Sequence, residues 1–299
     1  MSWSDIVKKN IPESHIQTPA PKVTKESPNV KTLDIIDIGA NLTNKVFKND
    51  IETILKESLK NNVTHIIITG TSIKKSIEAI QICKRFENRT DVPKLTCTVG
   101  VHPHDSYTIK DLNKAKDEMI RLIRENKNFV VAVGECGLDY NRMFSTIEQQ
   151  TSVFDMQLEI AQELNMPLFL HEREAHTDFV KVIKNRNFTF NGVVHCFTGT
   201  RDEMKTYLDD MGFYIGLTGF ICNARSQSLR NILSEIPLEK LLIETDAPYM
   251  TPQNIYPRPK HNQPMYLTHV LQEISNITGI DPKLVAEHTT KNSVRLFDL

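Results

Sequence analysis

Five short apolar runs in this chain end on side chains with chemical potential. TVGVHPHD (98–105) carries His102 and His104, and VAVGECGLDY (131–140) carries Glu135 and Asp139. PLFLHEREAH (167–176) carries His171, Arg173 and His176, VVHCFTG carries His195, and LLIETDAPY carries Glu244 and Asp246. One histidine beside an apolar run is ordinarily a core or capping residue. Several imidazoles and carboxylates drawn out of water together need partners, and a divalent cation supplies one. Glu135, His171, His195 and Asp246 are the expected metal centre. Nitrogen and oxygen donors without a thiolate cage suit Mg²⁺, Mn²⁺ or Zn²⁺ and exclude a structural Cys₄ zinc site. Such an ion polarises a phosphoryl or acyl oxygen and activates water, which is the chemistry of a hydrolase.

Polar groups that recur after apolar runs need a scaffold that repeats. The runs predict eight strands, at Ile35–Ile38, Ile66–Thr69, Leu95–Val99, Phe129–Val133, Leu168–Leu170, Val193–His195, Phe213–Ile215 and Leu241–Ile243. Amphipathic segments near 50–60, 72–86, 112–126, 147–164, 176–187, 201–210, 226–235, 263–275 and 282–290 predict the intervening helices. In the fourth, Ile147, Phe154, Leu158 and Ala161 recur at helical spacing, and Ser145 with Glu148 offers a capping box. No GxGxxG loop opens any unit. The expected fold is therefore α/β, a single-domain TIM (β/α)₈ barrel whose strand ends carry the site, rather than an open parallel sheet.

Composition narrows the partners. With 36 Lys+Arg against 37 Asp+Glu the formal charge is −1, which excludes a protein wrapped in nucleic acid by a general positive field but allows a local phosphate-reading cleft. Five dispersed cysteines form no CxxC; Cys136 and Cys196 neighbour expected ligands, but strand alternation favours core packing for both. Residues 1–31 carry Pro12, Pro19, Pro21 and Pro28 among polar residues, a composition expected to form a flexible or surface-lying extension, with Trp3 as a local anchor or the mark of a partner-binding site. The catalytic domain is expected at 32–299. No signal-peptide core or long apolar run is evident, so a cytoplasmic or nuclear protein away from membranes is expected.

The ordered motifs IDIGANLT (36–43), TVGVHPHD, VAVGECGLDY, FLHEREAH, VHCFTG, GFYIGLTG, ETDAPYM and HNQP resemble the TatD family of metal-dependent deoxyribonucleases over residues 34–299. The resemblance implies that Glu135 is the carboxylate at the metal centre, His171 and His195 ligate one ion, and Asp246 ligates and serves as base. It implies that His102 contacts phosphate or water. Where many relatives have an HxH pair after the first strand, this chain has Gly39 and Asn41. One well-held ion is expected, Mg²⁺ first, with a second weak or substrate-assisted.

Substrate contacts are expected from Arg173, whose planar fork suits phosphate unless Glu172 or Glu174 claims it. Tyr256, Arg258, Lys260 and His261 on the 251–264 loop suit a nucleic-acid backbone and a stacked base. Asn41, His104 and Glu244 are expected to contact substrate or support the ligands. The leading expectation is a 3′–5′ exonuclease acting as a monomer on single-stranded or frayed DNA ends, with polarity implied by the resemblance. Two alternatives stand beside it: an ester or amide hydrolase, such as an aminoacyl-ester deacylase, and a non-catalytic nucleic-acid-binding protein.

Overall fold

The computed structural model describes residues 34–299. The expected 1–31 extension and Trp3 lie outside the described residues.

Eight parallel strands follow one another around a barrel: β1 Ile35–Ala40, β2 Val63–Ile68, β3 Lys94–Val99, β4 Val130–Asp139, β5 Leu168–Arg173, β6 Gly192–Val194, β7 Tyr214–Leu217 and β8 Leu241–Ile243. Each strand pairs with the next in sequence order. The ring closes through a parallel bridge between Ala40 and Ala247. Backbone bonds from Asn41 to Ala247 and from Asp246 to Gly39, both 2.8 Å, complete the seam. Closure leaves no exposed sheet edge, the feature that separates a barrel from an open sheet.

The helices are α1 Ile51–Lys60, α2 Ile73–Phe86, α3 Leu112–Glu125, α4 Ile147–Leu164, α5 His176–Asn185, α6 Arg201–Lys205, α7 Gln227–Ile232, α8 Leu267–Thr278 and α9 Pro282–Phe297. Their apolar stripes pack on the outer faces of the strands, burying Leu55, Ala79, Met119, Phe154 and Phe179. A second cluster, with Ile36, Ile38, Ile67, Phe169, Val193 and Leu242, fills the barrel interior. Two buried layers explain why the strands read as nearly continuous apolar runs. No described helix is long and apolar enough to cross a membrane.

Several local expectations shift. The capping box of α4 belongs to Thr146 and Gln149, not Ser145 and Glu148. Ser145 turns away from the helix instead, where its hydroxyl donates to the His104 carbonyl and accepts the Tyr107 N–H. Ile147 is 47% exposed although its spacing predicted the core face, because it is the first residue of α4 at the barrel rim. The segment 201–210 is α-helical only to Lys205 and continues as a π-turn over Thr206–Asp210. All five cysteines are free; Cys136 is buried, whereas Cys196 is only half-buried.

Candidate active site

Strand β4 delivers the central carboxylate. Glu135 follows Gly134 in VAVGECGLDY, and the pairing of β4 with β5 shifts register between Gly134 and Cys136. Gly137 has φ +144°, and a Cβ there would lie 1.8 Å from the His171 carbonyl oxygen, so only glycine lets the two strands approach this closely. That approach sets Glu135 beside the histidines of β5 and of the segment following β6.

Three imidazoles converge on one oxygen. Glu135 Oε1 lies 2.8 Å from His195 Nε2, 2.9 Å from His171 Nδ1 and 3.2 Å from His102 Nε2. Burial would raise the Glu135 carboxyl, but the His102 and His195 imidazoles outweigh it and hold the group well below the ordinary carboxylate range. The ligand atoms of His102, Glu135 and His171 all lie within 4.8 Å of one another, close enough to share one cation.

Tautomers divide these histidines. His171 Nε2 is 3.2 Å from Asp139 Oδ2, and His195 Nδ1 is 3.4 Å from Glu244 Oε2. Each ring therefore has carboxylate oxygens at both nitrogens, although a neutral imidazole has one N–H and one lone pair. Burial would lower the pKa of both rings, but their carboxylate partners outweigh it and raise both, His195 well above the ordinary imidazole range, so without a metal each favours the protonated form. With Asp139 and Glu244 holding the outer N–H groups, a cation would replace the inner protons at His171 Nδ1 and His195 Nε2, which lie 3.4 Å apart. A cation in place of those protons keeps both rings bonded to their outer carboxylates, so the donor set fits a divalent ion in the carboxylate–histidine–metal arrangement. His102 differs. Its Nδ1 accepts the His104 N–H at 3.0 Å, which leaves the proton on Nε2, and burial holds its pKa at about 4. In this tautomer His102 directs an N–H at Glu135, so of that compact trio Glu135 and His171 are the ones with lone pairs for a cation.

Asp246 enters from the loop after β8. Its Oδ1 accepts the Asn41 amide at 2.8 Å, and burial, countered only in part by His195, pushes its carboxyl up to about 8. Glu244 is fully buried and also accepts the Cys196 N–H. The place of a side chain at residue 39 is taken: a Cβ on Gly39 would meet Glu244 Oε2 at 2.3 Å.

The structure thus gathers His102, Glu135, His171 and His195, with Glu244 touching His195. Asp246 stands in the field of Glu135 and His195 and contacts Asn41. His104 packs on His102 with ring centroids 4.3 Å apart and meets Asp139 Oδ2 at 2.9 Å. Arg173 is exposed at the end of β5, while Glu172 bonds Tyr207 and Ala175 and Glu174 bonds Asn141. Tyr256 is 96% exposed, Arg258 and Lys260 are exposed and His261 is half-buried, and among the described residues no hydrogen bond or ion pair joins these four to the carboxylate cluster. Their loop is pinned by buried Asn262, whose amide donates to the carbonyls of Thr245 and Tyr249.

Asp139 was noted at a strand end but given no role by sequence reasoning. Its signal was available, since residues four apart on a strand share a face and Glu135 lies four before it. Asp37 was missed entirely. It is buried, accepts both the N–H and the hydroxyl of Thr245, and has its carboxyl pushed up to about 7 by burial.

Comparison with known proteins agrees with this geometry. The family model for TatD-related DNases matches residues 36–298. The 3′-5′ ssDNA/RNA exonuclease TatD of Salmonella typhimurium is 40% identical over 269 residues, covering 89% of this chain and 99% of the relative. The Escherichia coli K12 protein of the same name shows the same identity and coverage. Among solved structures, a TatD-family hydrolase from Entamoeba histolytica superposes with a TM-score of 0.80 at 31% identity, covering 88% of this chain and 98% of its own. Family model, long-range identity and shared barrel agree: the chain belongs to the family of TatD-related DNases.

Proposed function

We propose that this protein is a metal-dependent deoxyribonuclease that removes nucleotides from the 3′ end of single-stranded DNA. The observation that carries the reading is the convergence of His171, His195 and His102 on Glu135 Oε1, at the strand ends of a barrel of this family. The curated relatives named as 3′-5′ ssDNA/RNA exonucleases support the polarity and the single-stranded substrate.

In this reading Glu135, His171, His195 and Asp246 hold the ion, Mg²⁺ or Mn²⁺ before Zn²⁺, because carboxylate oxygens make up half of the set. The bound ion supplies charge stabilisation at the phosphoryl oxygen and lowers the pKa of water. Asp246, whose carboxyl burial pushes up to about 8, would be ionised by the neighbouring ion and as a carboxylate takes the proton of the attacking water, with the Asn41 amide on its other oxygen. His102 directs its Nε2–H at the phosphate or the leaving oxygen. Asp139 and Glu244 fix the ring orientations of His171 and His195. Glu244 fills the position of a residue-39 side chain, which favours one well-held ion over an obligatory pair. Arg173, exposed at the rim, grips a neighbouring phosphate, and the 251–264 loop with Tyr256, Arg258, Lys260 and His261 guides the strand. The enzyme acts as a monomer.

The test is turnover of metal-stripped protein on 5′- and 3′-labelled single-stranded DNA, with Mg²⁺, Mn²⁺ or Zn²⁺ restored in turn. Stepwise shortening from the 3′ end that disappears in Glu135→Ala is the expected result. Intact DNA under every metal condition overturns the reading in favour of an ester or amide substrate.

A further inference from the structure

The loop joining β4 to α4 is firmly held, yet it presents an aromatic ring to water. Asp139 Oδ1 accepts the N–H groups of Asn141 and Arg142 at 3.0 and 2.8 Å. From the other side the Gln150 amide donates to the carbonyls of Asp139 and Ser145 at 3.1 and 3.0 Å. Phe144 lies between these anchors and is 64% exposed, beside Met143 at 49%. Tyr107, 48% exposed, rises from the preceding βα loop, which Ser145 ties to this one.

Exposure of a large ring on an ordered loop forgoes the burial that a phenyl group ordinarily gains. Its position gives that exposure a use. The Phe144 ring meets His104 in a T-shaped contact at 4.9 Å, and His104 stands against His102 and Asp139. One imidazole therefore separates the open ring from the residues around Glu135. Arg142, exposed two residues before Phe144, brings a guanidinium to the same turn. A flat π face, two residues from an exposed arginine and one imidazole from the residues around Glu135, suits a nucleobase next to the phosphate to be cleaved. Aromatic stacking accepts any base, as an exonuclease that removes successive nucleotides requires.

We propose that Phe144 is a stacking platform for one nucleobase of the substrate, placing the adjacent phosphodiester over the Glu135 centre. The proposal rests on the nuclease reading and deepens it. Because the loop is anchored before substrate arrives, stacking requires little ordering of the protein.

The experiment uses single-stranded oligodeoxynucleotides carrying 2-aminopurine at successive positions from the 3′ end, bound to the full-length protein in EDTA so that no turnover intervenes. Fluorescence quenching at one position is expected for the wild type and for Phe144→Tyr. Phe144→Ala is expected to lose that quenching and bind roughly 5- to 150-fold more weakly. With Mg²⁺ restored, KM is expected to rise by a similar factor, with a smaller change in kcat. An abasic residue at the quenched position should penalise the wild type as the substitution does, and add nothing further to Phe144→Ala. Equal binding and quenching in wild type and Phe144→Ala, or an abasic penalty that adds in full to the substitution, overturns the platform. A wild type that cleaves DNA while Phe144→Ala is indistinguishable from it sinks the platform alone. A wild type that neither binds nor cleaves DNA sinks the nuclease reading itself.

Discussion

Asn41 and Asp246 are 205 residues apart in the chain, and the side-chain amide of the first donates to Oδ1 of the second at 2.8 Å. The contact lies on the seam where β1 and β8 close the barrel, so closing the fold and aiming the Asp246 carboxylate are one event. Deleting the amide frees a half-buried carboxyl oxygen and lets the side chain rotate. Asn41→Ala is expected to lower kcat/KM on single-stranded DNA about 10- to 100-fold, the usual effect of removing a ligand's hydrogen-bond partner. Parallel thermal unfolding separates this from global damage, and unchanged kinetics would show that Asp246 needs no such restraint.

Divalent metal is expected to stabilise the fold, because an ion that binds only the native state raises unfolding free energy by about 2.7 kcal/mol at a hundred times its Kd. Titrating Mg²⁺ or Mn²⁺ into metal-stripped protein should raise Tm, and Glu135→Gln should abolish the rise. Asp139→Asn should need about 10- to 100-fold more metal for the same shift, since Asp139 Oδ2 faces both His171 and His104. Equal metal dependence in Asp139→Asn and wild type would remove Asp139 from the metal assembly.

Restoring a side chain at residue 39 should be costly. A Cβ there would lie 2.3 Å from Glu244 Oε2 and 2.8 Å from Phe169 Cζ, and both neighbours are fully buried. Gly39→Ala is expected to destabilise the protein by about 1–3 kcal/mol through overpacking, and Gly39→His by more. Urea denaturation with tyrosine fluorescence reads the difference. Wild-type stability in Gly39→Ala would mean that Glu244 can vacate its position.

His65 supplies a pH-dependent term away from the catalytic cluster. Its ring meets Thr96 Oγ1 at 3.0 Å, and burial, aided by the Lys94 charge, lowers its pKa from 6.5 to about 4. The folded state therefore favours the neutral ring, whereas the unfolded chain takes up a proton near pH 6.5. This contribution is complete above that pH and is lost as pH falls from about 6.5 toward 4, by at most about 3 kcal/mol. His65→Gln should show a flatter stability profile between pH 7.5 and pH 5. Because other titrating groups are common to both proteins, parallel profiles would refute the assignment.

Much of this arrangement is legible in short stretches of chain. The apolar run of β5 ends at His171 and that of β6 just before His195, so a continuous apolar stretch and the polar residue that follows it announce the strand-end imidazoles. Helix α4 begins and ends at the residues its pattern implied, 147 and 164, even though the capping pair is displaced by one. Ile147 marks the limit of such reading. Periodicity tells which residues share a face, but not whether the barrel extends far enough to cover it.

The sequence by itself determined the alternation of strand and helix, the carboxylates and imidazoles at the strand ends, and the family, because these depend on local backbone repeat and on residue type in ordered motifs. Only the tertiary structure decided that Glu135 Oε1 faces three imidazoles, that Asp139 serves two histidines and that Glu244 occupies the space beside Gly39. It also decided that Phe144 stands open beside His104. Those relations join different strands and loops, and strand pairing and barrel closure determine their distances. A shift of register would leave every local pattern intact while turning each of these side chains to another neighbour.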